Sequence, residues 1–240
     1  MSSPGRLLVT ATPIGNLADL SDRVRETLST ADLVACEDTR HTGLLLSRLE
    51  MKRPLLSLHE HNEASRIEEI LGRIREGEQI VLVSDAGYPT ISDPGQRLVR
   101  AVVREGLELS VIPGPSAVLT ALAGSGLPTD RFYFGGFLTT KKGRRNRELT
   151  EALERDHTSI FFESPHRIAG TLEMLKELDP DRPICVAREL TKKFEQYIHG
   201  TVTEVATKLA AGSSKGEFTL SIAGCKLPKW FADGSKKREE

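Results

Sequence analysis

Zinc-type cysteine spacing is missing from this chain: its three cysteines, Cys36, Cys185 and Cys225, stand far apart, with no CxxC pair and no Cys/His array. That argues against a disulfide framework and a structural zinc site, and it fits a reducing cytoplasm. No apolar run approaches the roughly 18 residues that a membrane-spanning helix needs, and the opening MSSPGRLLVTATP lacks the basic start and long apolar stretch of a signal peptide. The expectation is a soluble, untargeted, cytoplasmic protein with no membrane contact. Charge of one sign is not in excess: 33 Lys+Arg against 34 Asp+Glu leave a net charge of -1. This excludes a uniformly basic nucleic-acid coat and leaves room for a local basic patch. Internal repeats and a GxGxxG fingerprint are also missing. The HEH triplet spanning His59 and His61 lacks the i, i+4 spacing of a helical zinc pair, so no metal is expected.

What is present is a regular alternation. With 240 residues, 38% of them hydrophobic, the chain can bury one large core or two smaller ones. Apolar runs of strand length occur at residues 7–11, 33–36, 55–58, 80–83 and 109–112, with amphipathic stretches between them. Ser65 and Glu68 have the spacing of a capping box opening a helix, and Gly77 suits the position just past its end. Asp93 is placed to cap the next helix, with Pro94 at its first position and Gly106 at its close. Strand and helix therefore alternate, predicting an α/β fold with a largely parallel sheet covered on both faces. A second series, with strands at 132–138, 159–162, 184–187, 196–199 and 218–223, predicts a second α/β lobe. The expected division is an N-terminal α/β domain over residues 1–124, a C-terminal one over 125–226 and a flexible tail over 227–240, polar apart from Trp230 and Phe231.

Chemistry concentrates in the loops that follow the strands. The segment VSDAGYPTISDPG, residues 83–95, leaves a strand and enters a helix, where an α/β sheet usually holds a small ligand. Asp85 can accept hydrogen bonds from ligand hydroxyls or amines and Gly87 allows close backbone approach, whereas capping explains Asp93. The first strand ends in TATPIGNL, a turn rich in backbone N–H groups; Asn16 there suits an unusual backbone angle. In PGPSA, Gly114 permits a sharp turn, and Ser116 either contacts a ligand or caps the following helix.

TPIGNL, VSDAGYPTISDPG, PGPSAVLTAL, FESPHRI and ARELTKKFE, in this order over about the first 225 residues, resemble the tetrapyrrole methylase superfamily. More narrowly they resemble the ribosomal RNA small subunit methyltransferase I family. The resemblance implies two α/β domains with S-adenosylmethionine folded up in a cleft between them, and a homodimer. It further implies methyl transfer to the ribose 2′-hydroxyl of a cytidine in small-subunit (16S) ribosomal RNA, either free or in the 30S subunit. On this chain the cofactor loops fall at Pro13, Gly15 and Asn16, at Asp85, Ala86, Gly87 and Tyr88, and at Ser116 and Ala117. Phe162 and Glu163 fall on the wall facing the cofactor. Porphyrin-modifying members have a Gly-rich GxGPGD first loop and a GDP-type second loop; TPIGN and SDAGYP depart from both and shift the expected substrate away from tetrapyrroles. The competing readings are a tetrapyrrole or other small-molecule methylase of the same fold, and a non-catalytic RNA-binding assembly protein.

A ribose hydroxyl needs in-line positioning and help in losing its proton. Candidate acceptors are Glu37, Asp38, Glu163 and Glu189, each of which could instead sit in an ion pair with Arg40, Arg167 or Arg188; His59 and His61 have suitable pKa values but no supporting pattern. Lys141, Lys142, Arg144, Arg145 and Arg147 form a basic cluster, expected in a short loop, that suits RNA phosphates. His166, Arg167, Arg188, Lys192 and Lys193 would extend it. Tyr88, Tyr133 and Tyr197 are either base-stacking or core residues.

Overall fold

The computed structural model describes residues 5–59, 61–213 and 215–228. Most of the expected tail, residues 229–240 with Trp230 and Phe231, lies outside the described residues. The chain divides into two compact units, the second starting at Ala117.

The first unit runs β1 (Arg6–Thr10), α1 (Asp22–Thr30), β2 (Leu33–Cys36), α2 (Thr39–Arg48), β3 (Leu55–Ser57), α3 (Glu63–Arg75), β4 (Gln79–Val83), α4 (Gln96–Arg104) and β5 (Glu108–Ile112). Its strands form one sheet in the order β3-β2-β4-β1-β5, every pair parallel. Side chains alternate across it. Leu7, Val9, Leu33, Ala35, Ile80 and Leu82 pack with Ile70 and Ile74 of α3 and Leu98 and Val102 of α4. Leu8, Val34, Cys36, Val81 and Val83 meet Val24 and Leu28 of α1 and Leu46 of α2 on the other face. Burial on both faces is why these strands read as continuous apolar runs. Each buried Leu, Ile or Val contributes roughly 1.5–3 kcal/mol.

Two helix starts differ from expectation. α3 begins at Glu63 rather than after Ser65, because the Asn62 side chain turns back, accepting from His59 N (2.8 Å) and donating to the Ser57 carbonyl (3.0 Å). Ser65 then lies inside the helix and donates to the Asn62 carbonyl. α4 begins at Gln96, and Asp93 does not cap it; Gly95 occupies the cap position in a left-handed conformation (φ 114). The acceptor there is Glu63 of α3, 5% exposed, whose Oε1 takes the backbone N–H groups of Arg97 (3.0 Å) and Leu98 (3.3 Å). Gly77 and Gly106 follow their helices with φ of 96 and 66, as expected of αL exits.

The second unit runs α5 (Ala117–Gly124), β6 (Phe132–Phe137), α6 (Lys142–Glu154), β7 (Thr158–Glu163), α7 (Ile168–Leu178), β8 (Pro183–Arg188), β9 (Gln196–Thr201), α8 (Val202–Ala210) and β10 (Phe218–Ile222). The unit boundary lies before α5 rather than after residue 124, since Val118 and Leu122 pack with Ile160 and against Phe134 and Phe162 of this second sheet. The strand order is β6-β7-β10-β8-β9, and only β6 and β7 pair in parallel. No helix separates β8 from β9, and strands so joined pair as a hairpin. β6 carries a bulge: its register passes from Phe134↔Ile160 to Phe137↔Phe162, spending one extra residue at Gly135 and Gly136. Gly136 has φ 67, and a Cβ on Gly135 would run into the Phe161 ring. No helix among the described residues is long and apolar enough to cross a membrane.

Candidate functional site

In the first unit β1 and β4 are neighbours whose following helices, α1 and α4, lie on opposite faces of the sheet. Chains diverging in this way leave a crevice beyond the strand ends, the usual ligand position in an open parallel sheet. The loops flanking it are fastened together. Thr12 N donates to Gly87 O (2.9 Å) and Gly87 N to Thr12 O (3.1 Å), while Thr12 Oγ1 donates to Ser84 O (3.1 Å). Gly114 N donates to the Tyr88 hydroxyl (3.0 Å), which ties in the loop after β5. Gly87 has φ 76 and lies where a Cβ would touch Ile14 Cγ2 at 3.4 Å; on Gly114 a Cβ would come within 3.0 Å of Ala11. The expected residues Pro13, Gly15, Asn16, Asp85, Ala86, Gly87 and Tyr88 thus share one sheet edge, with Ser116 at the end of the third loop and Ala117 opening α5. Asn16 has an ordinary extended backbone (φ -119), and its Oδ1 accepts from Ala18 N. Thr12 and Ser84, both buried, fasten this edge and were missed in sequence. Their signal was a small hydroxyl residue just after each of two neighbouring apolar runs.

Asp85 carries the polar interest. Its Oδ1 is buried and has no hydrogen-bond partner among the described residues, a deficit of about 1–3 kcal/mol that a ligand donor would relieve. The edge therefore fits a ligand bearing hydroxyl or ammonium groups. Around it lie further acids. β2 pairs with β4 up to Cys36↔Val83, so Glu37 emerges beside Ser84 and Asp85. Leu58 N donates to Cys36 O (2.7 Å), which brings the chain at His59 past the same edge. Burial, then repulsion from Asp85 and Asp38, raises the Glu37 carboxyl above its ordinary value, with His59 opposing. Asp93 is pushed up to about 6 by burial, reinforced by Glu37 and Asp85 against a hydrogen bond with Ser84. Freed from capping, Asp93 belongs to this carboxylate group.

The other proton-acceptor candidates are engaged. Asp38 caps α2, accepting from Arg40 N (2.8 Å), and this bond with the Arg40 side chain holds its carboxyl below the ordinary value. Glu163 is buried, with Oε1 taking Ser164 N (2.7 Å) and Arg167 (2.6 Å) and Oε2 taking Thr171 Oγ1 (2.7 Å). Although burial alone would raise Glu189, hydrogen bonds from Glu217 N and Lys192 hold it low. Glu37 makes no hydrogen bond or ion pair among the described residues.

The basic cluster is not in a loop. Lys141 is the N-cap of α6, and Lys142, Arg144, Arg145 and Arg147 occupy its first turns. Lys141, Lys142, Arg144 and Arg147 are exposed, and none of the five cations forms an ion pair among the described residues. His166 and Lys193 are exposed as well, Lys193 lying 5.6 Å from the centre of the Phe194 ring, but the other three proposed extensions are committed. Arg167 bonds Glu163 and Leu138 O; Arg188 is buried, donating to Lys215 O and Gln196; Lys192 pairs with Glu189 and Glu217. Phe162 is half-buried between Phe134 and Phe137. Tyr88 serves as the loop tie, Tyr133 lies under Arg155 (4.0 Å), and Tyr197 donates to Thr120 O (3.2 Å).

The model of the tetrapyrrole (corrin/porphyrin) methylase family matches residues 6–206. A ribosomal RNA small subunit methyltransferase I from Synechocystis is 48% identical over 221 residues, covering 92% of this chain and 79% of its own. One from Thermotoga maritima is 43% identical over 221 residues, covering 92% and 99%. Among solved structures, uroporphyrin-III C-methyl transferase from Thermus thermophilus, complexed with S-adenyl homocysteine, has a TM-score of 0.61 at 19% identity over 91% of this chain and 97% of that one, a likeness of fold.

Proposed function

The chain belongs to the tetrapyrrole methylase family and, within it, to the ribosomal RNA small subunit methyltransferase I family, and from this we propose that it uses S-adenosylmethionine to methylate the ribose 2′-hydroxyl of a cytidine in small-subunit ribosomal RNA. The observation that carries the reading is the sheet edge where Thr12, Gly87 and Tyr88 lock three loops together around Asp85, whose Oδ1 has no partner among the described residues. The loops at Pro13 to Asn16, Asp85 to Tyr88 and Gly114 to Ala117 hold the cofactor, with Asp85 accepting from its hydroxyl or ammonium groups. When bound, S-adenosylmethionine supplies a methyl group already activated on a sulfonium. The chain's own task is to orient the hydroxyl and take its proton. Glu37 takes it: it stands at the same edge as Asp85 with no hydrogen bond or ion pair among the described residues, whereas Asp38, Glu163 and Glu189 are held by other groups.

The RNA is met by Lys141, Lys142, Arg144, Arg145 and Arg147 with His166. The protein works in the cytoplasm, in keeping with its unbridged cysteines. It works as a homodimer, as the resemblance to the superfamily implies, and sedimentation would measure that state. Mass mapping of ribosomal RNA from cells lacking the protein tests the function. One ribose methyl on a small-subunit cytidine is expected to disappear, and an unchanged methylation pattern would sink the reading.

A further inference from the structure

The bulge in β6 changes which way one aromatic ring faces. Without it, Phe137 would share a face with Tyr133, whose ring meets Phe161 at 6.3 Å between centroids. The extra residue moves Phe137 to the other face, where it leans on Phe162 at 5.3 Å beside Phe134 at 5.0 Å from the same ring. Bulges commonly re-aim a side chain next to a functional site. Here the re-aimed ring is not buried: Phe137 remains 59% exposed at the strand's end, backed by Phe162. Gly135 and Gly136 leave no side chain of their own beside it.

Phe137 stands four residues before Lys141, so an extended chain places the two within about 14 Å. β6 and β7 are parallel, so the turn with exposed His166 emerges at the same sheet edge. A ring open to solvent and backed by a second ring, beside cations that lack acidic partners among the described residues, is the combination that single-stranded nucleic acid requires. Bases stack on the ring while phosphates meet the charges. The α6 cations sharpen the argument. Helix N-termini favour acidic residues, and the first turn of α6 has none. An anionic partner relieves that repulsion, which an apolar partner would not.

We propose that Phe137 is a stacking platform for an unpaired base of the substrate RNA, with the N-terminal cations of α6 holding the adjoining phosphates. This rests on the reading that the substrate is RNA, and it adds where on the second unit a base is held.

The test is the affinity of the full chain for a short fluorescent single-stranded oligoribonucleotide, with cofactor affinity measured by calorimetry on S-adenosylhomocysteine. Phe137→Ala is expected to weaken RNA binding roughly five- to 150-fold with cofactor affinity and thermal midpoint unchanged. Phe137→Trp should restore binding, and Phe132→Ala, an exposed aromatic at the other end of β6, should leave it unaltered. Equal RNA affinity for wild type and Phe137→Ala would overturn the platform while leaving the ribosomal RNA reading standing. A parallel loss of S-adenosylhomocysteine affinity would overturn it in favour of a cofactor wall. A shift to monomer with RNA affinity intact would overturn it in favour of a self-association contact. No RNA binding by the wild-type chain would remove both.

Discussion

At the scale of single residues, the proposed roles of Asp85 and Glu37 follow from their surroundings. Asp85 has a buried oxygen waiting for a donor, so Asp85→Asn should weaken S-adenosylhomocysteine binding about ten- to a hundredfold by calorimetry; unchanged affinity would remove Asp85 from the cofactor site. Glu37 is raised first by burial and then by the Asp85 charge. An acceptor must be ionised, so activity should climb as pH rises through the Glu37 pKa. Glu37→Gln should lower kcat roughly a hundredfold or more, flatten that limb and spare cofactor affinity. In Asp85→Asn at saturating cofactor, the limb should move to lower pH, because the repulsion is gone. A limb that stays in place would show that the two carboxylates do not interact. Asp85 stood out in sequence because only Ser84 separates it from an apolar run. The choice among Glu37, Asp38, Glu163 and Glu189 was not. It turned on Arg40, Arg167, Thr171 and Lys192, whose distances no one-dimensional spacing records.

Elements show the same split between local and distant causes. The central strands β1, β2 and β4 were readable because burial on both faces leaves apolar runs, and the exits at Gly77 and Gly106 because αL backbone demands glycine locally. The start of α4 was not readable: its capping carboxylate, Glu63, comes from α3. Glu63→Ala should therefore cost about 1–3 kcal/mol by urea unfolding with an unchanged m-value, and Glu63→Gln, which keeps an acceptor, should cost less. A neutral Glu63→Ala would mean that the α4 N–H groups find other acceptors. Release of Asp93 from capping has its own consequence. Its carboxyl is raised in the folded chain from 3.8 to about 6, so the folded state binds the extra proton in that interval. Its contribution to stability is thus full below about 4 and is lost as pH rises through about 6. Asp93→Asn should stabilise the protein at neutral pH and flatten its thermal midpoint across that window; a midpoint profile unchanged from wild type would place Asp93 in contact with solvent instead.

Taken whole, the molecule has a net charge of -1 and yet leaves its α6 cations without acidic partners among the described residues. Charge balance is global, whereas the field that meets an incoming phosphate is set within a Debye length of about 8–10 Å. A nearly neutral chain can therefore present a local cationic surface, and composition alone said only that the surface had to be local. That surface opposes the helix that carries it, since positive charge in a first turn works against the helix dipole by about 0.3–1 kcal/mol per residue. Function and stability should then respond with opposite signs to one change. Replacing Lys141, Lys142 and Arg144 together by Gln should leave the thermal midpoint equal or higher, because repulsion at the α6 start is relieved. The same variant should bind single-stranded RNA more weakly at low salt. Its dependence of log affinity on log salt should be shallower by roughly 2, at about 0.7 for each phosphate that is no longer neutralised. Binding measured over a salt series separates the cases. If the variant loses affinity with the slope intact, the cations do not touch phosphates, and if neither changes, the RNA lies on another face. A lower midpoint with both binding measures unaltered would make the cluster part of the fold's own support.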